Sequence, residues 1–220
     1  MDFLNGFLAF ELEILPYVIV VMVIAFTIHE FSHAYIAYKF GDPTAKNQGR
    51  LTLNPMVHLD PVGTILLILF GFGWARPVPV NRYHFKNPRL AGVLVSFAGP
   101  FSNFIIASIG YIIFFALVSN GINIPDFVLQ FLNMLIYINV LLFVFNLLPL
   151  PPLDGYRIVE DLVPVNIRAK MTQYEQYGIL IFLILVLIPP LNNVTISPIF
   201  NVLIPGISDR LYNFFYTIFF

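Results

Sequence analysis

Two histidines and a glutamate near the N-terminus form an H-E-x-x-H pattern, since residues 29–33 read His-Glu-Phe-Ser-His. The pattern lies in an apolar segment of membrane-spanning length, residues 14–38, which predicts a helix. On a helix, residues four apart lie on one face and about 6 Å apart along the axis, so both imidazoles can reach one metal ion. Glu30 lies beside the pair, where it can act as a base without being a ligand. The pattern therefore predicts a zinc site with an adjacent general base.

The composition indicates a membrane protein. The 220 residues are 59% hydrophobic and only 10% charged, with a mean hydropathy of +0.85, which excludes an ordinary soluble protein. The net charge of −1 gives no basis for nucleic-acid binding. The chain has no cysteine, so any metal site must use His, Asp or Glu. The length predicts one membrane-embedded domain, residues 1–220.

The apolar stretches predict an all-α polytopic membrane protein with about five to six transmembrane segments. Residues 62–73 are too few to span a bilayer, which indicates a re-entrant segment. Gly99-Pro100 is expected either to let helices approach closely or to break the second long stretch near its middle. Residues 1–13 are expected at the membrane interface. Beyond the first helix, the apolar stretches are 62–73, 90–119, 127–148, 177–188 and 191–220.

The basic residues predict how the chain is oriented. Ten of the eleven Lys and Arg residues fall in loops 39–50, 76–89 and 157–170. The positive-inside rule places these loops in the cytoplasm and the N-terminus outside. The H-E-x-x-H end of the first helix and Asp154, after the third long apolar helix, then lie near the same side. We therefore expect a protein of a bacterial cytoplasmic membrane with its active site toward the cytoplasm.

A catalytic zinc ion usually takes a third protein ligand. Asp154 is the best candidate, because it follows a long apolar helix in a Pro-rich turn that ends at Gly155. The alternative is an aspartate that caps the turn. Asn103 and Asn146 lie within apolar helices at comparable depth. Each can either donate to a developing oxyanion or form hydrogen bonds between helices.

The remaining histidines fit the site less well. His58 could be a spare ligand or a gate residue, but the favoured interpretation is a loop histidine that holds a turn. His84 lies in a basic loop and is expected at the solvated surface.

Three motifs occur in this order along the chain: residues 29–33, Gly99-Pro100-Phe101-Ser102-Asn103, and Asn146-x-x-Pro149-x-Pro151-Pro152-Leu153-Asp154-Gly155. Together they resemble the site-2 protease family of intramembrane zinc metalloproteases. Residues 49–61, Gly-Arg-Leu-Thr-Leu-Asn-Pro-Met-Val-His-Leu-Asp-Pro, are also similar to the family's segment after the metal helix. The resemblance covers about residues 15–160, and the chain resembles the short branch that lacks PDZ and CBS domains.

The resemblance implies one zinc ion bound by His29, His33 and Asp154, with Glu30 as the general base. It implies hydrolysis of a peptide bond within or next to a transmembrane segment of a membrane-protein substrate. The alternative is a non-proteolytic metal-binding transporter or membrane chaperone of the same fold. A carrier needs the histidines but has no use for a base beside them.

The resemblance also implies an architecture. The catalytic core would occupy about residues 14–160, followed by extra membrane segments in residues 174–220. Residues 43–60 would form a re-entrant β-hairpin that pairs with an unwound substrate strand.

Overall fold

The computed structural model describes residues 9–71 and 73–220, and the prediction of an all-α protein is confirmed for them. They contain an isolated antiparallel bridge between Leu59 and Ala75 but no β-strand. The interface prediction for residues 1–13 falls largely outside the described ranges, which begin at residue 9. The α-helices are α1 (Leu15–Lys39), α2 (Thr44–Asn47), α3 (Pro61–Phe70), α4 (Pro88–Ser119), α5 (Asp126–Asn146), α6 (Asp154–Leu162), α7 (Val165–Leu187) and α8 (Pro189–Phe219).

Helices α1, α4 and α5 are long and apolar enough to cross a membrane. Helices α7 and α8 meet at a bend of 93° and together count as at most one further span. By length and composition, the described residues thus supply three or four spans rather than the predicted five to six. The sequence prediction counted the last two apolar stretches separately, whereas the structure joins them through a sharp bend.

Local signals fix the ends of α3. The Asp60 side chain accepts a hydrogen bond of 2.8 Å from the Gly63 N–H at the first turn, and Pro61 follows this cap. Gly71 ends the helix with a φ of 70°, the left-handed conformation that glycine adopts readily. Ten residues give about 15 Å of helix, about half of the hydrocarbon thickness. The prediction that this segment is too short to span is therefore confirmed.

The β-hairpin predicted for residues 43–60 is not found in the structure. The segment contains helix α2 and a single 3₁₀ turn, Pro55–Val57. Asn54 starts this turn by accepting a hydrogen bond from the Met56 N–H. The His58 Nε2 lies 2.7 Å from the Thr52 carbonyl oxygen and folds the segment back on itself. Side-chain caps and prolines here favour turns over a β-ladder.

Helix α4 is continuous through Gly99-Pro100, so the break is wrong, whereas the alternative, a close approach of helices, agrees with the contacts at Gly99. Pro100 lacks an N–H and cannot donate to the carbonyl one turn earlier. Ser102 donates a side-chain hydrogen bond of 2.7 Å to the Gly99 carbonyl beside it. Transmembrane helices tolerate proline when neighbouring helices and Ser side chains satisfy nearby backbone groups.

Helix α4 lies at the centre of the bundle and packs against α1, α5, α6 and α8. Val21, Ile106 and Leu142 share one core between α1, α4 and α5. The outward face of α4 is also apolar, with Ile109 and Ile112 more than 40% exposed. Apolar residues on both faces are expected of a helix that contacts lipid. The polar residues of the predicted site lie where α1, α4, α5 and α6 meet.

Candidate metal centre

The two histidines of the H-E-x-x-H pattern point to one spot at the C-terminal half of α1. Both are buried, and their Nε2 atoms lie 3.0 Å apart. Asp154, the first residue of α6, places its Oδ2 3.1 Å from the His29 Nε2 and 3.3 Å from the His33 Nε2. The structure therefore brings together the three residues predicted as zinc ligands.

Hydrogen bonds on the far side of each ring set its protonation. The His33 Nδ1 lies 2.7 Å from the Val95 carbonyl oxygen, and the His29 Nδ1 lies 2.7 Å from the Asn103 Oδ1. Both partners are acceptors, so each Nδ1 carries the hydrogen. A neutral imidazole with its hydrogen on Nδ1 has its lone pair on Nε2. When both rings are neutral, both Nε2 lone pairs therefore face Asp154.

A backbone carbonyl fixes the direction of this hydrogen-bond chain. The Asn139 Nδ2 donates to the Leu135 carbonyl at 2.8 Å, so the Asn139 Oδ1 must face the other way. There it accepts a bond of 2.9 Å from the Asn103 Nδ2, which turns the Asn103 Oδ1 toward His29. Asn103 and Asn139 are both fully buried. Together they form an amide relay that orients the His29 ring from α4 and α5.

The donor set fits a zinc ion. The two Nε2 lone pairs and the Asp154 Oδ2 are three acceptors facing one another, and the Oδ2 is a buried atom without a hydrogen-bond partner in the part of the chain that is described. All three candidate ligand atoms lie within 4.8 Å of one another. A proton could be shared by only one pair of these atoms, whereas a metal cation can bind all three. Two imidazole nitrogens and a carboxylate are common ligands of catalytic zinc.

Gly99 leaves room for this centre. A Cβ atom at position 99 would lie 2.3 Å from the His33 Nε2 and 2.6 Å from the His29 Nε2. Both distances are shorter than any non-bonded contact of this kind allows. The absence of a side chain at Gly99 therefore lets α4 approach the two rings directly.

The turn-cap alternative for Asp154 receives no support from the hydrogen bonds. Among the described residues, no backbone N–H donates to its carboxylate, and its neighbours are the two imidazoles. Its position at the first turn of α6 also places the negative charge at the favourable end of the helix dipole.

Glu30 is buried beside the histidines, and its Oε2 accepts a hydrogen bond of 3.0 Å from the Val78 backbone N–H. Val78 belongs to the non-helical segment between α3 and α4, residues 74–81, which we call the strap. The Arg50 guanidinium donates to the Arg76 and Pro77 carbonyls of the strap. Hydrogen bonds to Arg50 on one side and to the Glu30 carboxylate on the other thus hold the strap in place.

The two asparagines predicted as oxyanion donors differ in the structure. Asn103 uses its Oδ1 for His29 and its Nδ2 for Asn139, which agrees with the interhelical interpretation. Asn146 is the last residue of α5, is half-buried, and donates to the Leu142 carbonyl at 3.0 Å. Of the two asparagines, Asn146 is therefore the one whose side chain takes no part in orienting His29, and it stays a candidate oxyanion donor.

The other histidines lie outside the group of three ligand candidates. His58 is fully buried, and its Nε2 contacts the Thr52 carbonyl, as expected of a residue that holds a turn. His84 is exposed in a 3₁₀ turn after the strap, in agreement with the surface interpretation.

Sequence reasoning missed three contributors. Asn139 lies two helical turns before Asn146 in a strongly apolar helix. Polar residues inside such helices are often functional, so the sequence could have indicated Asn139 as a site residue. The Val95 carbonyl and the Val78 N–H are backbone groups, which carry no signal in the sequence. Their roles depend only on which segments pack against α1.

Comparisons with known proteins agree with this site. Residues 123–189 match Peptidase family M50. A Bacillus subtilis protein named "Putative zinc metalloprotease YwhC" is 54% identical over 202 residues, which cover 90% of this chain and 92% of the relative. "Putative zinc metalloprotease Rip2" of Mycolicibacterium smegmatis is 30% identical over 170 residues, covering 75% of this chain and 64% of the relative. The Mycobacterium tuberculosis protein of the same name is 28% identical over 195 residues, covering 86% and 73%. No solved structure matches the chain.

A methyl group at position 99 should displace the ligand rings. We expect Gly99→Ala to weaken zinc binding at least about tenfold, in the range seen when groups that orient ligands are altered. The measurement is competition for zinc against a chelator, on protein purified in detergent. Gly206→Ala on α8 is the control, because an added Cβ there meets no heavy atom within 4 Å. Equal affinity in the two variants would contradict the packing of Gly99 on the centre.

Removing the end of the amide relay should also weaken the site. Asn139→Leu leaves the Asn103 Nδ2 without its acceptor, so the His29 ring is less firmly oriented. We expect zinc affinity to fall by about 10–100-fold. Asn133→Leu makes the same substitution at an exposed position of α5 and should retain wild-type affinity. An unchanged affinity in Asn139→Leu would show that the relay does not act on His29.

Proposed function

Because the chain belongs to peptidase family M50, the site-2 protease family, we propose that it hydrolyses a peptide bond within or next to a transmembrane segment of another membrane protein. Its relatives are named as zinc metalloproteases, and zinc is the cofactor that its donor set fits. One observation carries the proposal. Two imidazole nitrogens and a carboxylate oxygen converge inside a bundle of apolar helices, and a fourth polar residue, Glu30, lies beside them.

The proposed ligands are the Nε2 atoms of His29 and His33 and the Oδ2 of Asp154. Bound zinc supplies Lewis acidity toward water and toward the scissile carbonyl. The remaining steps depend on side chains and backbone groups of the chain itself.

Glu30 is the proposed general base. The Val78 N–H holds one carboxylate oxygen, so the group has a fixed orientation, and the second oxygen has its own lone pairs. The carboxylate takes a proton from the attacking water and passes it to the leaving amine. A positioned base of this kind contributes about 10²–10⁴-fold to the rate. A transporter or chaperone would have no use for such a base, so this orienting contact favours the hydrolase.

Asn146 is the candidate that stabilises the developing oxyanion. Its Nδ2 donates one hydrogen to the Leu142 carbonyl, and a side-chain amide has a second N–H. A donor directed at the charge that develops in the transition state contributes more than one directed at the ground state.

The substrate must unwind before it can react. The peptide groups of a transmembrane helix are bonded within the helix, which shields their carbonyls. The strap provides non-helical backbone in direct contact with Glu30. We therefore assign to the strap the substrate-contacting role that the family resemblance implied for residues 43–60.

The proposed site faces the cytoplasmic side of a bacterial cytoplasmic membrane. Contacts among the basic loops support this topology. Arg50 in loop 39–50 bonds to the Arg76 carbonyl in loop 76–89, and Arg82 in that loop pairs with Asp161 in loop 157–170. All three loops thus lie on one side, as the positive-inside rule requires.

We also propose that residues 1–220 form a single domain, with its catalytic core in about residues 14–160. The C-terminal segments, residues 174–220, contact this core directly. The Tyr111 hydroxyl donates to the Ser208 carbonyl at 3.1 Å, and the rings of Phe145 and Phe182 lie 5.8 Å apart.

The role of Glu30 can be tested by a substitution that keeps its shape. Glu30→Gln should retain zinc but lose about 10²–10⁴-fold in cleavage of a model transmembrane substrate, because the amide cannot take the proton. Glu13→Gln, at an exposed position near the N-terminus, is the matched control and should cleave normally. Cleavage by Glu30→Gln at the wild-type rate would exclude Glu30 as the base.

The ligand role of Asp154 has a separate readout. Asp154→Ala removes one of three proposed ligands and should release most of the bound zinc, measured by metal analysis of the purified protein. Asp126→Ala removes a carboxylate from the exposed start of α5 and should keep the metal. Full zinc occupancy in Asp154→Ala would remove this residue from the site.

A further inference from the structure

Helix α6 has the proposed ligand at one end and two buried carboxylates at the other. Asp154 is its first residue, and Glu160 and Asp161 lie in its last turn, 3% and 1% exposed. A helix of this length has little stability of its own, so its position depends on tertiary contacts. Whatever holds the last turn therefore also helps to set where the Asp154 carboxylate lies.

Arginine side chains from three segments hold this last turn. Arg82, directly after the strap, pairs with the Asp161 Oδ1, and its Nη2 lies 3.7 Å from the Glu160 Oε2. The Arg168 Nη2 lies 3.3 Å from the same Asp161 oxygen, and the Arg157 Nη1 lies 3.3 Å from the Glu160 Oε2. Arg157 and Arg168 belong to α6 and to the neighbouring α7, whereas Arg82 comes from outside this helical pair. Arg82 therefore connects α6 to the rest of the site.

The Asp161 carboxylate is also pressed against α4. A Cβ atom at Gly92 would lie 2.1 Å from its Oδ2, so only glycine permits this approach. Burial raises the pKa of Asp161, although Arg82 and Arg168 act in the opposite direction. The ionised carboxylate thus depends on its arginine partners, since buried charges are stable only when paired.

The strap joins both halves of the site. Its Val78 N–H donates to Glu30, and the Asn81 N–H donates to the buried Asp42 Oδ2 at 2.6 Å, just after the end of α1. Arg82 is the next residue and reaches α6. The segment that orients the proposed base is therefore anchored to the helix that begins with the proposed third ligand.

We propose that Arg82 is a positioning residue, which holds α6 through Asp161 and Glu160 so that Asp154 meets His29 and His33. This inference rests on the proposed function, in which Asp154 is a zinc ligand. Arg82 touches none of the ligand atoms, so it acts only through α6. Losing it should loosen the third ligand while leaving the histidine pair and the amide relay intact.

The test is the zinc affinity of folded Arg82→Gln, measured by competition with a chelator. We expect affinity to fall by about 10–100-fold, as for other groups that orient ligands from outside the coordination sphere. Arg82→Lys keeps the charge and should recover part of the loss. Arg89→Gln, at an exposed position early in α4, is the matched control and should bind zinc as wild type does. Wild-type zinc affinity in Arg82→Gln would overturn the proposal.

A spectroscopic readout separates positioning from a general loss of stability. With cobalt in place of zinc, the visible absorption reports the ligand geometry, so Arg82→Gln should have an altered spectrum and Arg89→Gln should not. A lower melting temperature with an unchanged cobalt spectrum and unchanged zinc affinity would show a structural role only and overturn the proposal. If Arg82→Gln does not fold, the same measurements on Arg82→Lys decide.

A double substitution tests the route through Asp161. If Arg82 acts through this carboxylate, Arg82→Gln should weaken zinc binding much less in an Asp161→Asn background than in the wild type. Equal losses in both backgrounds would refute the route. A failure of the proposed function is distinguishable, because it would appear as full zinc retention in Asp154→Ala. A failure of this inference would appear in the Arg82 variants alone.

Discussion

Three electron-pair donors directed at one buried point are the constraint on which this structure depends. Each histidine has its Nδ1 hydrogen bonded to an acceptor, so each Nε2 faces the Asp154 carboxylate with a lone pair. Without a cation this arrangement is repulsive, and a bundle of apolar helices offers little water to relieve it. The elements around the site can therefore be understood as parts that hold three donors in place for a metal ion.

Helix α4 has the largest part in this arrangement. At Gly99 it approaches the rings with bare backbone, at Val95 it provides a carbonyl for His33, and at Asn103 it provides an amide for His29. These three residues recur every four positions and so lie on one face of the helix. A single helix face thus combines close packing with polar recognition. The same face can make all three contacts only because α4 continues as a helix through Pro100.

Most ion pairs among the described residues belong to one network around α6. Only 10% of the residues are charged, yet several of them form connected ion pairs around Arg82, Arg157 and Asp161. A charge inside the hydrocarbon would be costly, whereas the same pairs near the interface can hold loops and a short helix in place. The strap and α6 lack the long apolar faces of the spanning helices, and polar contacts position them instead.

Much of the site could be predicted from the sequence, because its central residues obey local rules. The spacing of His29 and His33 on a helix places both rings on one face whatever surrounds them. The hydropathy of the long segments likewise requires helices, since a bilayer leaves their backbone groups no other partners. Asp154 could be proposed because a carboxylate next to a long apolar helix is costly unless a cation or a turn stabilises its charge. These features depend on neighbours in sequence and on the solvent, and so they are visible in the chain alone.

Only the tertiary structure decided the features that depend on which segments meet. The hairpin prediction for residues 43–60 failed because side-chain caps and a histidine contact stabilise turns there. The orientation of Asn103 followed from a carbonyl on α5, and the strap reached Glu30 through a backbone N–H that any residue type other than proline could supply. Backbone groups are the same at every position, so their roles cannot be read from residue types. They are determined by packing, which brings chain-distant segments to the same buried point.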